Sequence, residues 1–273
     1  MRRAPAIVSA VALAAVLVRC SSFEGVPGDV AGDASELDGA SAGDEAASSD
    51  APADAPLEAG RCDSGCPGTG GPCGVRAGPT CIDAREVTVA DYRVFTESVQ
   101  GTSIDVGAPC DPVTVDLVGA RPDDSLPMTD VSFCEARAFC AWAGKSLCGK
   151  VGGGSLSGEP LYVVTSQQGA WFNACTGGTS SDHPLLSDGG CQLGGTSPRA
   201  AGPGCQGGVP GLVDMVGNVW EWIERVEEND AGPMTYLIGG GYGNEPGATT
   251  CRSLLYATFP FRSHDVGFRC CSP

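Results

Sequence analysis

Gly211-Leu-Val-Asp-Met-Val-Gly-Asn-Val-Trp-Glu-Trp222 decides how the rest of the chain is read. Two tryptophans, two carboxylates and the turn pair Gly217-Asn218 crowd into this stretch. The apolar run around Val213, Met215 and Val219 cannot remain in water without cost, roughly 25 cal/mol for each Å² of apolar surface. Asp214 and Glu221 flank the turn, so their carboxylates can converge with the backbone carbonyls of Gly217 and Val219 on one hard cation, calcium. A plainer reading competes with that cage: Trp220 and Trp222 are core aromatics around a tight turn, and both acids are solvated. The spacing alone leaves the two side by side.

Working outward, Gly217-Asn218-Val219-Trp220-Glu221-Trp222 is followed by Gly239-Gly240-Gly241-Tyr242, by Cys251-Arg252-Ser253 and by Gly267-Phe268-Arg269-Cys270. In order and spacing this series resembles the formylglycine-generating enzyme, or sulfatase-modifying factor, domain family, over about Cys81 to the C-terminus. The resemblance implies an α+β fold of the C-type lectin-like kind, rich in irregular backbone and low in regular secondary structure. It also implies one calcium site at Asp214, Gly217, Val219 and Glu221, and two disulfides, Cys140 with Cys270 and Cys175 with Cys251. Cys271 must then point elsewhere, because adjacent residues on extended backbone face opposite ways; Cys134 and Cys148 are its candidate partners. The family's second calcium site is not expected, since no Asn and Asp pair stands at the matching positions.

Residues 1–20 read as a targeting segment outside the fold. Arg2 and Arg3 make a basic start, Ala4 to Val18 is apolar but short for a membrane span, and Leu17-Val18-Arg19-Cys20 sits where a lipoprotein signal is cut. Cys20 would then carry the lipid. Arg19 departs from the small residue expected there, which leaves ordinary secretion with cleavage elsewhere and an uncleaved anchor as alternatives. All three export the remainder, and the expected location is a bacterial-type cell envelope, as an outer-membrane or surface lipoprotein.

Residues 21–60 carry ten acidic residues, no basic one and a single aromatic, Phe23, so they cannot bury enough apolar surface to offset chain entropy. They read as an acidic Ala/Ser/Gly/Asp tether. The net charge of the whole chain is -17, and an acidic surface repels nucleic acid and anionic lipid alike. Contact with a membrane is therefore expected only through the lipid anchor, and the expected ligand is a protein or a carbohydrate.

Residues 61–273 suffice for one domain with its own core. All but one of the 15 cysteines lie here, and an even number in an exported chain points to disulfides. Zinc finds no support, because Cys62, Cys66, Cys73 and Cys81 lack paired C-x-x-C spacing and His183 and His264 are isolated. Ile82 to Val87 reads as a strand entering a helix that Thr88 caps with Asp91. Ser132 and Glu135 form a second capping box for a helix through Ala143, which Gly144 stops. A third short helix is expected from about Ser166 to Cys175, with Trp171 and Phe172 inward. Gly177 to Pro210 reads as a loop closed by Cys191 and Cys205, and the acids Glu224, Glu227, Glu228 and Asp230 as a solvated loop.

Other chemistry is poorly supplied. Gly152-Gly153-Gly154-Ser155 lacks the Lys-Ser/Thr of a phosphate loop, no Gly-x-Ser-x-Gly elbow precedes a usable histidine, and two histidines are few for acid-base or iron chemistry. Enzymes of the resembled family oxidise a peptide cysteine of sulfatases through a copper held by two cysteines upstream of the one matching Cys251. Here Gly239 to Thr250 contains no cysteine, and Gly241 stands where those enzymes carry serine. Thiolates are the soft ligands copper(I) requires, so copper is not expected. Two readings of different class remain: an exported, non-catalytic binding or envelope-structural module, and a formylglycine-generating oxidoreductase.

Overall fold

The computed structural model describes residues 65–119, 122–182, 190–202, 205–229 and 232–273. The chain divides into two units, Met1–Ala53 and Asp54–Pro273, and every described residue lies in the second. The targeting segment with Cys20, the tether, Cys62, His183 and Asp230 lie outside the described residues.

Among the described residues, the unit contains three strand groups and three short α-helices. One sheet has the order β1 (Gly74–Ala77), β2 (Thr80–Asp83), β10 (Cys270–Ser272) and β5 (Ser146–Leu147). β3 (Ser103–Ile104) and β4 (Val113–Thr114) form a minimal hairpin. The main sheet runs β8 (Leu254–Thr258), β7 (Gly232–Ile238), β6 (Trp220–Asn229) and β9 (Val266–Phe268), with β6 and β9 parallel. The helices are α1 (Val89–Ser98), α2 (Phe133–Trp142) and α3 (Ala170–Thr176).

Local chemistry explains where the helices start. Thr88 accepts from the Asp91 amide while Asp91 accepts from the Thr88 amide, and Ser132 and Glu135 repeat that exchange at α2, so two otherwise unpaired donors are satisfied at each end. Gly144, in the left-handed region at φ +71°, ends α2. Two boundaries differ from the sequence reading. β2 stops at Asp83, because Ala84 and Val87 bond to Cys73 and Phe268 outside any ladder. α3 begins only at Ala170, because Ser166 to Gly169 forms a turn in which Ser166 bonds Val163 and Gln168.

A larger correction concerns the acids after the tryptophans. Glu224 to Asn229 continues β6 instead of forming a loop. Two of these acids are paired, Glu224 with Arg137 at 3.2 Å, and Glu227 with Arg225 and with the Tyr236 hydroxyl, which donates at 2.7 Å, whereas Glu228 is exposed. Arg225 lies flat over the Tyr236 ring, 5.3 Å from its centroid, and is itself buried.

The central strands β6 and β7 of the main sheet are packed on both faces, whereas the edge strand β8 exposes Leu255 and Tyr256. Trp222 and Leu237 join Phe95, Phe133, Phe139 and Phe268 in one apolar cluster, whereas their neighbours Ile223 and Ile238 join Trp171, Phe172, Leu212 and Met215 in another. Alternation with period two thus assigns successive residues of one strand to different cores. Adjacent Cys270 and Cys271 do the same: Cys270 bonds Cys140 of α2 in the first cluster, and Cys271 bonds Cys148, just after β5, in the second. Cys175–Cys251, Cys191–Cys205, Cys66–Cys81 and Cys110–Cys134 complete six bridges among the described residues. Two of the six join the cysteines that the resemblance pairs, and Cys191–Cys205 closes the long loop.

Candidate functional site: a buried carboxylate turn

The turn before β6 is built from residues in unusual backbone conformations. Asp214 and Asn218 adopt positive φ of +54° and +59°, at some cost for non-glycine residues, and Gly217 lies between them at +82°. A Cβ on Gly217 would stand 2.4 Å from the Gln192 carbonyl oxygen, so only glycine lets the disulfide-closed loop press against the turn. Asn218 fastens that contact: its Oδ1 accepts from the Arg199 amide (2.9 Å), and its Nδ2 donates to Glu86 Oε2 (2.6 Å) and to the Arg199 carbonyl (3.2 Å).

Both acids singled out in the sequence are buried, which excludes the reading that leaves them solvated. Their surroundings differ. Glu221, on β6, accepts from Arg269 Nε at 2.9 and 2.8 Å on its two oxygens, from Arg269 Nη2 at 2.8 Å and from Trp171 Nε1 at 2.7 Å. Arg269, fully buried between β9 and β10, also donates to the carbonyls of Asp83, Val213 and Asp214, so one guanidinium ties β2, the turn and β6 together. Asp214 is less well served: its Oδ2 accepts from the Gly202 amide at 3.3 Å, while Oδ1 faces Arg199 Nη2 at 3.5 Å and has no hydrogen-bond partner.

A third carboxylate, absent from the proposed calcium set, completes the cluster. Glu86 precedes the α1 cap and reaches across to accept from the Val219 amide (3.2 Å) and from Asn218. Burial, and then the neighbouring Asp214 and Glu221 charges, hold its carboxyl well above the ordinary range, while Arg269 and Asn218 oppose the rise. Burial likewise raises Asp214 against the pull of Arg199 and Arg269. Nearby, burial lifts Asp83 to about 6 even though Lys145 pairs with it at 2.6 Å.

These contacts test the calcium set residue by residue. Asp214 fits a cation, because a buried carboxylate oxygen without a partner is a costly state that an ion would relieve. Glu221 has both oxygens engaged by Arg269 and Trp171, which makes it the member least ready to ligate. Sequence reading paired Asp214 with Glu221 but missed Glu86, Arg199 and the role of Arg269. Arg269 stood in a run that resembles the family, and Glu86 in the expected strand before α1; what one sequence does not display is that two segments so far apart meet at one turn.

The copper region also has a place in the fold. Gly239-Gly240-Gly241 leaves β7 beside the turn, with the Gly239 carbonyl accepting from the Gly217 amide. A Cβ on Gly241 would sit 3.0 Å from Trp220 Cδ1, so the serine of the enzymes would crowd the first tryptophan. Cys251 and Cys270 are both buried in bridges and offer no thiolate.

Comparison with known proteins places this arrangement. The model of the sulfatase-modifying factor enzyme 1-like domain matches residues 45–201 and 207–272. A bovine (Bos taurus) protein named inactive C-alpha-formylglycine-generating enzyme 2 is 30% identical over 171 residues, which cover 56% of this chain and 52% of the relative. The chain therefore spans about half the length of that relative. Among solved structures, PvdO from Pseudomonas aeruginosa aligns with a TM-score of 0.50 at 14% identity, over 70% of this chain and 79% of its own. CarF aligns with a TM-score of 0.48 at 21% identity, over 76% and 96%. The fold is α+β and C-type lectin-like in the manner of these domains, short in helix and dense in disulfides. The chain belongs to the sulfatase-modifying factor domain family.

Proposed function

We propose that this chain is an exported, non-catalytic binding or envelope-structural module, which presents a sulfatase-modifying-factor-like domain on an acidic tether from a lipid at Cys20. One observation carries the non-catalytic half. Gly239 to Thr250 holds no cysteine, and the flanking Cys251 and Cys270 are committed to bridges. A soft-metal site that activates oxygen has no thiolate pair to stand on there. The relative that carries the name inactive accords with this reading. Purified chain is expected neither to bind copper(I) tightly nor to consume oxygen with a cysteine-containing sulfatase peptide. Tight binding together with turnover would overturn the proposal in favour of a formylglycine-generating oxidoreductase.

Export rests on the basic start, the apolar run and Cys20, and on the number of cysteines that the fold commits to bridges. Metabolic labelling with a fatty acid is expected to mark the chain, and Cys20→Ser to abolish the mark; label retained in that variant would refute the anchor. The module's ligand is a protein or a carbohydrate. Calcium bound through Asp214, with the carbonyls of Gly217 and Val219 and with Glu221 as the fourth member, would brace the turn rather than react.

A further inference from the structure

The six bridges are not equally placed. Cys140–Cys270 and Cys175–Cys251 are wholly buried, and Cys148–Cys271 nearly so. Cys191–Cys205 also has a partly exposed member, Cys191, but Cys110–Cys134 combines exposure with two further features. Both of its cysteines line a cavity of about 270 Å³, walled also by Ser132, Phe259 and Arg262. Cys134 is partly exposed and is the second residue of α2, whose first-turn amides point toward that end of the helix. Arg137, one turn further on, reaches back with Nη1 to 3.8 Å from Cys110 Sγ and to the carbonyls of Gly107 and Ala108 at 3.3 Å.

We infer that Cys110–Cys134 is a thiol-exchange site, opened by a dithiol reductant while the other five bridges stay closed. A thiolate of the reductant enters the cavity and attacks Cys134 Sγ. The sulfur–sulfur bond breaks, and its electron pair leaves on Cys110 Sγ as a thiolate facing the Arg137 guanidinium. The second thiolate of the reductant attacks the mixed disulfide and expels Cys134 as a thiolate at the start of α2. The reductant departs as its own disulfide, so two electrons pass to the protein and two protons restore the thiols. A positive group beside the leaving sulfur lowers its pKa and speeds departure, and a helix start does the same for the second.

The neighbouring charges are mixed, so the polarity rests on the direct approach of Arg137 to Cys110 Sγ at 3.8 Å. Arg262 is occupied by Glu135, and Arg137 shares its charge with Glu224 at 3.2 Å; of the acids, only Asp111 lines the cavity. Other bridges have the opposite surroundings: Cys205 Sγ faces the Val216 carbonyl oxygen at 3.4 Å and Cys148 Sγ faces that of Arg269 at 3.9 Å, which disfavour a thiolate. Cys110 and Cys134 are 24 residues apart, so opening their bridge frees one local loop and leaves the two cores cross-linked.

The test uses the whole chain, folded, with limiting dithiothreitol. Released thiols are alkylated at intervals and located by peptide mapping, while circular dichroism follows the fold. Cys110 and Cys134 are expected to be alkylated about tenfold faster than cysteines of the other five bridges, with the spectrum unchanged. Arg137→Met should slow this bridge by about tenfold, Arg137→Lys by less, and neither should change the rate of Cys191–Cys205. Earlier opening of another bridge in the wild-type chain, or opening of all bridges together as the spectrum collapses, overturns the inference whether or not the variants fold. An Arg137→Lys chain as slow as Arg137→Met would keep the site but remove the guanidinium's charge as its cause.

Discussion

The two sides of the carboxylate turn contain similar groups in opposite states. On one side, Glu221, Arg269 and Trp171 satisfy one another completely, and Arg269 spends its remaining donors on three carbonyls. On the other, Glu86 and Asp214 lie buried beside Asn218 and the partly exposed Arg199; one Asp214 oxygen is unpaired and both carboxyls are pushed upward. The carboxylates are buried alike on both sides, but Arg269 is enclosed and Arg199 is not. The difference lies in donor geometry: a guanidinium in line with a carboxylate fixes two oxygens at once, whereas Arg199 touches Asp214 from 3.5 Å. The first side is therefore a clamp, and the second is where a response to pH or to a cation is expected.

The sharpest way to break this contrast is to remove the clamp. Arg269→Met leaves Glu221 buried without its partner and should cost about 3–5 kcal/mol, read by chemical denaturation. Adding Glu221→Gln to that variant should recover a large part of the loss. A single variant as stable as the wild type would mean that Glu221 is neutral in the fold and that the clamp is no clamp.

Calcium probes the responsive side. At a free concentration about a hundredfold above its dissociation constant, a cation that binds only the folded chain adds about 2.7 kcal/mol, so chelation should lower the melting temperature. Asp214→Asn should remove most of that response and Glu221→Gln little of it, in keeping with the unequal freedom of their oxygens. Identical melting curves in calcium and in chelator, from chain saturated beforehand, would return the turn to a purely packed element.

A smaller effect is expected at Trp171→Phe, which takes one donor from Glu221 but leaves Arg269 in place. The cost should be about 1–2 kcal/mol in the same denaturation experiment, well below that of Arg269→Met. Equal costs would place the weight of the clamp on the tryptophan.

The smallest change is one of slope. Glu86 has a folded-state pKa raised above its ordinary 4.5, so between the two values the folded chain holds more protons than the unfolded one. Its contribution to stability is then complete below about 4.5 and is lost as pH rises through the folded value. Asp83 acts in the same direction between 3.8 and about 6. Glu86→Gln should flatten the decline above pH 4.5 while changing stability little at lower pH. A decline that steepens in Glu86→Gln would show that the carboxylate, once charged, is compensated after all.

Much of the fold was legible because its signals are local. Thr88 with Asp91 and Ser132 with Glu135 announce helices over a few residues, and Gly144 announces an end. The strand through Glu224 to Asn229 was hidden, because Glu224 and Glu227 find their partners partly in Arg137 and the Tyr236 hydroxyl, which lie elsewhere in the sequence. The turn was legible through Asp214, Gly217 and Asn218. Its partners were not, since Glu86 and Arg269 reach it across 132 and 55 residues. Short-range pattern reports which residues need a partner, and only the assembled backbone reports which partner they receive.

Placing Cys270 and Cys271 side by side has a consequence for biogenesis. The bridges to Cys140 and Cys148 span 130 and 123 residues, and neither can form before Cys270 and Cys271 have been synthesised. Until then the thiols of Cys140 and Cys148 have no proper mate, so an early oxidant can only join them wrongly. A chain of this design is best kept reduced and unlocked until the segment with Cys270 and Cys271 has been made, then fastened in both cores by it. Loss of that segment through a premature stop would leave Cys140 and Cys148 without the sulfurs that secure them.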